Sequence, residues 1–325
     1  MKSKILLIGA SGGLAQITSR LILKHKNKVD IFAIDTRSEK YTINNKRYCF
    51  EKVAYKRSSF ERIFQANTFD AVIFLSRSAL SSRDSNLVKQ RHMFNIRGTQ
   101  TILDLCSHFG VKKIVIMSSF HSYGALSDNP AFLSEDDILR ASERYPEIRD
   151  LVEMDQNCLN WMHTNASQTK TVLLRPVNII GPNLSNGITK YLTHPFSFYP
   201  IDYNPSVQFI HEYDMANILV QSLFNDYHGL FNVAPNNYLS LKDAILTVNP
   251  KAIPMLVSAL GGVNKLFQRY TGVPDYLVEY LKYPCLLSNK KFNTFYGDDT
   301  FKFTTKSALK SLRLKNIRRI LQPEA

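Results

Sequence analysis

The sequence predicts an α/β protein built on a doubly wound parallel sheet, followed by a smaller C-terminal α/β lobe. Two observations support this prediction. Short aliphatic runs alternate with amphipathic stretches of helix length, as in chains that wind strands and helices into one sheet. Several aliphatic runs are continuous rather than alternating, which is typical of strands buried on both faces. The 325 residues are enough for a substantial core.

The predicted elements follow one another from the N-terminus. Strands are expected in the aliphatic runs at residues 4–10, 29–35, 70–76, 112–119 and 170–177. Helices are expected between them, in LAQITSRLILKHK, SSFERIFQA and NIRGTQTILDLCSHFG. Gly110, the last residue of the third stretch, directly follows LCSHF and is expected to cap the end of that helix. After Pro182, VQFIHEYDMANILVQSLF and GLFNVAP predict one more α/β unit, and SALKSLRLKNIRRIL predicts a basic C-terminal helix.

The composition is that of an ordinary globular protein, with 44% hydrophobic and 21% charged residues. No apolar run reaches the roughly 18 residues that a membrane-spanning helix needs. The apolar run in the opening MKSKILLIGA is too short for a signal peptide, so we expect a buried first strand and a cytoplasmic protein. Four widely separated cysteines predict reduced thiols, and the cysteines and eight scattered histidines form no metal-binding motif.

The net charge of +14 is strongly positive. Residues 302–323 carry seven basic side chains and no acidic one. A basic surface attracts nucleic acid, anionic lipid or phosphorylated ligands. The alternative is that the charge serves solubility alone and that the C-terminal helix docks on its own domain.

The stretch KILLIGASGGLAQ places three glycines between the first predicted strand and the first predicted helix. A phosphate can approach the amides of a helix N-terminus only where no side chain blocks them, and glycine removes that block. The spacing of Gly9, Gly12 and Ala15 puts small residues at the turn, beside the ligand and at the helix–sheet contact. The pattern therefore predicts a pyrophosphate-binding turn, with a tight turn that binds nothing as the alternative.

The end of the second predicted strand favours a dinucleotide. Asp35 lies 26 residues after Gly9, where a carboxylate can accept hydrogen bonds from an adenosine ribose. A carboxylate at this point repels a 2′-phosphate, which favours NAD over NADP. Arg37 lies two residues further on and keeps NADP open as the alternative.

The sequence resembles the NAD-dependent epimerase/dehydratase family of the extended short-chain dehydrogenase/reductase superfamily in five ordered segments, GASGGLA, NIRGTQTILDLC, VKKIVIMSSFHSYG, LRPVNIIGP and FIHEYDMANIL. The resemblance implies a Rossmann-type fold, an NAD cofactor and a homodimer. It also implies an oxidoreductase or epimerase that acts on a hydroxylated small molecule, such as a sugar or nucleotide sugar. Residues 1–181, with 205–235 returning to them, would form the NAD(P)-binding domain, and 182–325 mainly the substrate-binding lobe.

The resemblance also implies individual binding residues. Asn178 matches the asparagine that faces the substrate, and His121 and Tyr123 are further substrate candidates. Val207 stands where nucleotide-sugar enzymes of the family carry an arginine that clamps a diphosphate, so a UDP-sugar would lack its expected partner. The residues expected to bind the cofactor are Gly9, Ser11, Gly12, Gly13, Leu14, Asp35, Arg37, Leu75, Ser76 and Asn95.

Family chemistry uses a Ser or Thr, a Tyr, and a Lys four residues after that Tyr. The Tyr acts as acid and base on a substrate hydroxyl, and the Lys lowers its pKa, which is about 10 when unperturbed. Ser119 matches the first of these positions. Between residues 124 and 170 the sequence contains no YxxxK, and two registers are open.

The first register pairs Tyr145 with Arg149, whose guanidinium would supply the positive charge. Pro146 then places Tyr145 at a helix entrance. The second register aligns Asp155 with the acid that often follows the lysine, and it leaves Glu147 and Leu151 in the catalytic positions.

If Tyr145 does not serve, His121 or Tyr123 is the candidate proton donor beside Ser119. These departures from the family pattern keep a second function open. The chain would then bind the cofactor without turnover and serve as a scaffold or sensor subunit.

Overall fold

The structure is a computed structural model that describes residues 3–39, 42–76, 85–258 and 275–321. The chain forms two compact units, each assembled from three segments. The segments of the first unit are Met1–Ser119, Glu147–Arg175 and Met215–Phe231. Those of the second unit are Phe120–Pro146, Pro176–Asp214 and Asn232–Ala325.

The first unit is built on a seven-stranded sheet. Its strands are β1 Ser3–Ile8, β2 Val29–Asp35, β3 Tyr48–Lys52, β4 Ala71–Phe74, β5 Lys113–Met117, β6 Lys170–Pro176 and β11 Gly229–Val233. They lie in the order β11-β6-β5-β4-β1-β2-β3, and all neighbours from β6 to β3 pair in parallel. Because the chain winds outward in both directions from β1 and β4, the predicted doubly wound topology is confirmed.

Helices connect these strands. They are α1 Gly13–His25, α2 Arg57–Ala66, α3 Ser85–His92, α4 Gly98–His108, α6 Arg149–Thr164 and α8 Glu212–Phe224, with a π-helical turn at Met93–Arg97 between α3 and α4. Gly110 has a φ of 66° and donates its amide hydrogen to Ser107 O, so it follows the end of α4 as predicted.

Continuous aliphatic runs fill the interior of the first unit. Val72, Ile73 and Val115 have no exposed surface, because helices cover both faces of the sheet at these positions. The predicted first strand is confirmed as buried, with Leu6 fully inside. All four cysteine thiols are unpaired, and only Cys49 is exposed.

Gly98 opens α4 at a point where the ring of Tyr55 lies directly against the helix backbone. A Cβ at position 98 would overlap Cε1 of Tyr55. The same ring stacks on Phe94, with 3.8 Å between ring centroids and 22° between ring planes. The glycine is therefore required by packing rather than by backbone conformation.

The second unit contains three two-stranded sheets and six α-helices among its described residues. The sheets pair β7 Asn178–Ile180 with β10 Phe209–His211, β9 Ser206–Val207 with β12 Leu239–Ser240, and β8 Phe198–Pro200 with β13 Ile253–Met255. The helices are α5 Ala141–Arg144, α7 Gly187–Thr193, α9 Leu241–Val248, α10 Asp275–Glu279, α11 Lys290–Tyr296 and α12 Thr305–Leu321.

The C-terminal helix α12 begins inside the core of the second unit. Ala308, Leu309 and Leu312 are buried there with Phe209. The first turns of this helix therefore dock on their own unit, which was one of the two expectations, and the side chains beyond residue 313 lie outside the described part. Within the residues that the structure describes, no helix is both long and apolar enough to cross a bilayer.

Candidate functional site

The turn after β1 is fixed by glycine at its first position. Gly9 has a φ of 94°, a conformation that residues with a side chain rarely adopt. A Cβ on Gly9 would lie 2.9 Å from the backbone nitrogen of Ser76, directly after β4. The amides of Gly9 and Ala10 both donate to Ile34 O, at 2.9 and 3.1 Å. The turn is thereby held against the ends of two neighbouring strands.

Gly12 is the N-cap of α1, and it leaves the start of that helix open. No side chain caps α1, and its first turn contains no acidic residue. Among the described residues, the one atom within 4 Å of a Cβ on Gly12 would be Gly9 O, at 3.5 Å, so a methyl group has room there. Uncapped amides and the helix dipole together favour an anion at this point. The turn therefore fits the phosphates of a dinucleotide.

Asp35 ends β2 beside this turn and is almost fully buried. It accepts hydrogen bonds from the Ser11 amide at 3.0 Å and the Arg37 amide at 2.9 Å, and Nε of Arg37 lies 3.3 Å from Oδ1. Burial alone would raise the pKa of Asp35, but these hydrogen bonds and the Arg37 guanidinium hold it below its usual value. The carboxylate is therefore charged at neutral pH, as recognition of a ribose without a 2′-phosphate requires.

Three further predicted cofactor residues lie in the first unit. The Leu75 amide donates to Ile8 O at 3.0 Å, which places Leu75 and Ser76 at the carboxyl edge of the sheet beside Gly9. Asn95 is buried in the π-helical turn and donates Nδ2–H to the carboxylate of Asp150. At least one of its hydrogen bonds therefore serves to hold α6.

A buried ion pair contacts Ser118, the residue directly before Ser119. Asp155 on α6 has no exposed surface and accepts Nε–H and Nη2–H of Arg175, at 3.0 and 2.6 Å. The hydroxyl of Ser118 donates to the same carboxylate. Ser119 follows directly and is also buried. Asp155, the residue that defines the second register, thus pairs with Arg175 of the LRP segment inside the core.

The two residues that this register places in the catalytic positions differ in character. Glu147 is half-buried, and Leu151 is a buried aliphatic side chain that can neither donate a proton nor carry a positive charge.

The first register places Tyr145 and Arg149 in different surroundings. Tyr145 follows α5 with a ψ of 81°, as the proline after it predicts, and its buried hydroxyl donates to Ala125 O at 3.2 Å. Arg149 is the first residue of α6, its side chain is 69% exposed, and its Nε lies 2.7 Å from Oε1 of Glu153. Tyr145 belongs to the second unit and Arg149 to the first, so their pairing stays a prediction.

The second unit contains the predicted substrate residues. The Tyr123 hydroxyl is buried, 2.9 Å from both Ser134 O and Oδ1 of Asn232, so its single proton is already engaged by acceptors. The His121 ring packs against Phe120 and Tyr280, with centroids 4.2 and 4.9 Å apart.

Asn178 begins β7 and lies in the wall of a cavity of about 50 Å³ within the second unit. Apart from Asn178 and Val207, the cavity lining was not predicted from the sequence. Its residues come from positions between 120 and 285, and no spacing in the sequence connects them.

A glycine turn and an uncapped helix behind the first strand of a parallel sheet are the arrangement of dinucleotide-binding α/β proteins. The chain belongs to the NAD dependent epimerase/dehydratase family, whose model matches residues 5–234. The family predicted from the five segments is therefore confirmed, as is the Rossmann-type fold, and the expected cofactor is that of the family.

Relatives and solved structures agree with this membership. An uncharacterized protein of Mycobacterium tuberculosis is 20% identical over 253 residues, which are 76% of this chain and 66% of that protein. UDP-glucose 4-epimerase 2 of Arabidopsis thaliana is 30% identical over 148 residues, 45% of this chain and 40% of that one. The match thus spans just under two thirds of the first relative's length and less than half of the second's.

Among solved structures, the UDP-glucose 4-epimerase of Thermus thermophilus in complex with NAD has a TM-score of 0.75. The match covers 97% of this chain and 99% of that one, at 16% identity. A likeness at this level of identity shows the shared fold.

Proposed function

We propose that the chain is an NAD-dependent enzyme of the epimerase/dehydratase type that acts on a hydroxylated small molecule, with a sugar ring as the favoured class. The observation that carries this proposal is the uncapped N-terminus of α1 behind Gly9 and Gly12, with the charged Asp35 beside it. The family membership supports the cofactor, and the relative named UDP-glucose 4-epimerase 2 supports a sugar.

In this proposal each part of the turn has its own task. The amides of Gly13 and Leu14 bind the pyrophosphate, because no side chain of the described residues caps this helix. Asp35 accepts the ribose hydroxyls, and Arg37 and Ser11 hold its carboxylate in place. Leu75 and Ser76 flank the cofactor at the sheet edge, and Asn95 supports that edge through α6. Bound NAD supplies a carbon that accepts or returns a hydride.

The substrate oxygen is assigned to Ser119, whose hydroxyl would hydrogen-bond it. Proton transfer is assigned to Tyr145, with Arg149 as the cation, or in their place to His121. Tyr123 is a weaker candidate because its hydroxyl already contacts two acceptors. A homodimer and a cytoplasmic location complete the proposal, supported by the family resemblance, and sedimentation of the purified chain tests the dimer.

Calorimetric titration with NAD⁺ tests the cofactor, with Gly12→Ala as the matched control that adds one methyl group to the turn. The wild type is expected to bind and the variant to bind much more weakly. Interconversion of sugars by the NAD⁺-loaded chain, compared with Ser119→Ala and Tyr145→Phe, tests turnover. Absence of NAD⁺ binding would contradict the proposal. Binding without turnover would favour the scaffold or sensor role.

A further inference from the structure

The cavity beside Asn178 is lined by neutral side chains. Among the described residues that line it, none is Asp, Glu, Lys, Arg or His. Its walls are mainly hydrocarbon, from residues such as Phe120, Ile188, Phe209 and Leu281. A volume of about 50 Å³ suits a small group rather than a whole nucleotide.

Two polar side chains in this wall, Gln208 and Tyr191, make hydrogen bonds to the backbone of the protein itself. Gln208 donates to Pro235 O at 3.1 Å and to Leu287 O at 3.3 Å, and it accepts the Leu287 amide at 2.8 Å. The hydroxyl of Tyr191 donates to Phe198 O. These hydrogen bonds to the backbone leave Gln208 and Tyr191 few donors and acceptors with which to bind a ligand.

The two helix N-termini at the cavity carry side-chain caps. The first residues of α7 and α9, Gly187 and Leu241, line the cavity. In α7 the Asn186 side chain accepts the amide of Thr189 in a capping box. In α9 Ser240 accepts the amide of Asp243, whose carboxylate adds a negative charge to the first turn. In each of these helices a side chain thus already accepts one amide of the first turn, in contrast to α1.

A diphosphate placed against the described lining residues would lose its hydration without gaining a cation from any of their side chains. Val207 is one position at which a cation for a diphosphate is replaced by a hydrocarbon side chain. It lies half-buried in the cavity wall where the family's nucleotide-sugar enzymes would have an arginine, and it pairs with Leu239 of β12.

We propose that this cavity binds an uncharged, largely apolar group of the substrate, so that the chain prefers an uncharged hydroxylated compound, such as an alkyl glycoside, to a nucleoside-diphosphate sugar. This inference rests on the proposed function, because it assumes that Asn178 faces the substrate. It names the chemical class of the group that lies beyond Asn178.

The test compares three ligands that share one sugar. Butyl glucoside, glucose and UDP-glucose are titrated calorimetrically into the full chain, with and without NAD⁺. Butyl glucoside is expected to bind about tenfold more tightly than glucose, because its methylenes leave water. UDP-glucose is expected to bind at least about tenfold more weakly than butyl glucoside, because its charges are unpaired in the cavity.

Val207→Arg should reverse this order. The new guanidinium offers paired hydrogen bonds to a diphosphate, so UDP-glucose should gain at least about tenfold while butyl glucoside loses affinity. Ser206→Lys, also in the wall, is the second variant in case the first does not fold, as judged by circular dichroism. Asp298→Asn is the matched control, since it raises the net charge by one at an exposed residue that does not line the cavity.

The possible outcomes separate this inference from the proposed function. Tighter binding of UDP-glucose than of butyl glucoside by the wild type would overturn the inference, even with NAD⁺ binding intact. No binding of butyl glucoside up to its solubility limit would overturn it as well. If NAD⁺ fails to bind, the proposed function fails, while the ligand order measured without NAD⁺ still decides the character of the cavity.

Discussion

The two units bury their ionisable groups in different ways. In the first unit, two buried carboxylates are paired with buried arginines, Asp155 with Arg175 and Asp150 with Arg91, at N–O distances of 2.6 and 2.8 Å. In the second unit, His211 is buried as a neutral ring, and Asp214 has no exposed surface and accepts two backbone amides. The contribution of a buried ion pair to stability depends on the presence of both members. The contribution of a singly buried group depends mainly on pH.

The same contrast extends to the ligand sites. The turn in the first unit offers free amides to an anion, and the cavity in the second unit offers hydrocarbon and capped helices. The chain would therefore bind its two proposed ligands in opposite ways, the cofactor through backbone amides and the substrate group through hydrocarbon contacts.

Asp155→Asn should cause the largest loss of stability. The change leaves the guanidinium of Arg175, which is 1% exposed, without a negative partner, and breaking a buried pair costs about 3–5 kcal/mol. Urea denaturation measures the loss. Asp214→Asn is the matched control in the second unit, expected to lose about 1 kcal/mol because an amide oxygen still accepts a backbone hydrogen bond. Equal losses would remove the proposed difference between the units.

His211 should make the chain sensitive to acid. Burial lowers the pKa of His211 from 6.5 to about 4, so between these values the unfolded chain binds more protons than the folded one. Stability is therefore expected to fall as pH drops from 6.5 to about 4, by at most about 3 kcal/mol. Thermal unfolding across this range measures it. His211→Gln should flatten the profile, and an unchanged slope would assign the acid sensitivity to other groups.

Gly12→Ala and Gly9→Ala should separate ligand binding from folding. A methyl group at position 12 has room within the protein but stands where a phosphate would approach, so NAD⁺ affinity should fall about 10–100-fold at unchanged thermal stability. A methyl group at position 9 meets the strand end and a positive φ, which should cost about 1–3 kcal/mol of stability. Calorimetry and thermal melts distinguish the two. Loss of stability in both variants would contradict the assignment.

Asp35→Ser should produce the smallest effect, a change of cofactor preference. Removing the carboxylate removes the repulsion of a 2′-phosphate and frees the Arg37 guanidinium, so the ratio of NADP⁺ to NAD⁺ affinity should rise about tenfold. Arg37→Ala in the same background is the control and should cancel the gain. A preference that does not move would place the adenosine ribose elsewhere.

The strands of the first unit could be predicted because a strand buried on both faces has a continuous run of aliphatic residues. VDIFAID coincides with β2 residue by residue. YCFEK, which forms β3, was not predicted, because this edge strand is only half-buried and mixes polar with apolar residues. The glycine turn was also predictable, since backbone exposure at a helix start restricts the residues that can stand there.

The remainder of the site has no such local signature. Arg91 and Asp150 meet across 59 positions of sequence, and the cavity wall is drawn from segments with unrelated patterns. The spacing of Tyr145 and Arg149 resembled one helical turn, yet Pro146 separates them and a 3₁₀ turn intervenes before α6 begins. Contacts of this kind depend on the assembled fold rather than on neighbouring residues.

The contact between Gly98 and the Tyr55 ring has an evolutionary consequence. Any larger residue at position 98 would need a smaller partner at position 55, so the two positions should covary among descendants of this chain although 43 residues separate them. Where Tyr55 is exchanged for a small residue, alanine or serine at position 98 should become acceptable.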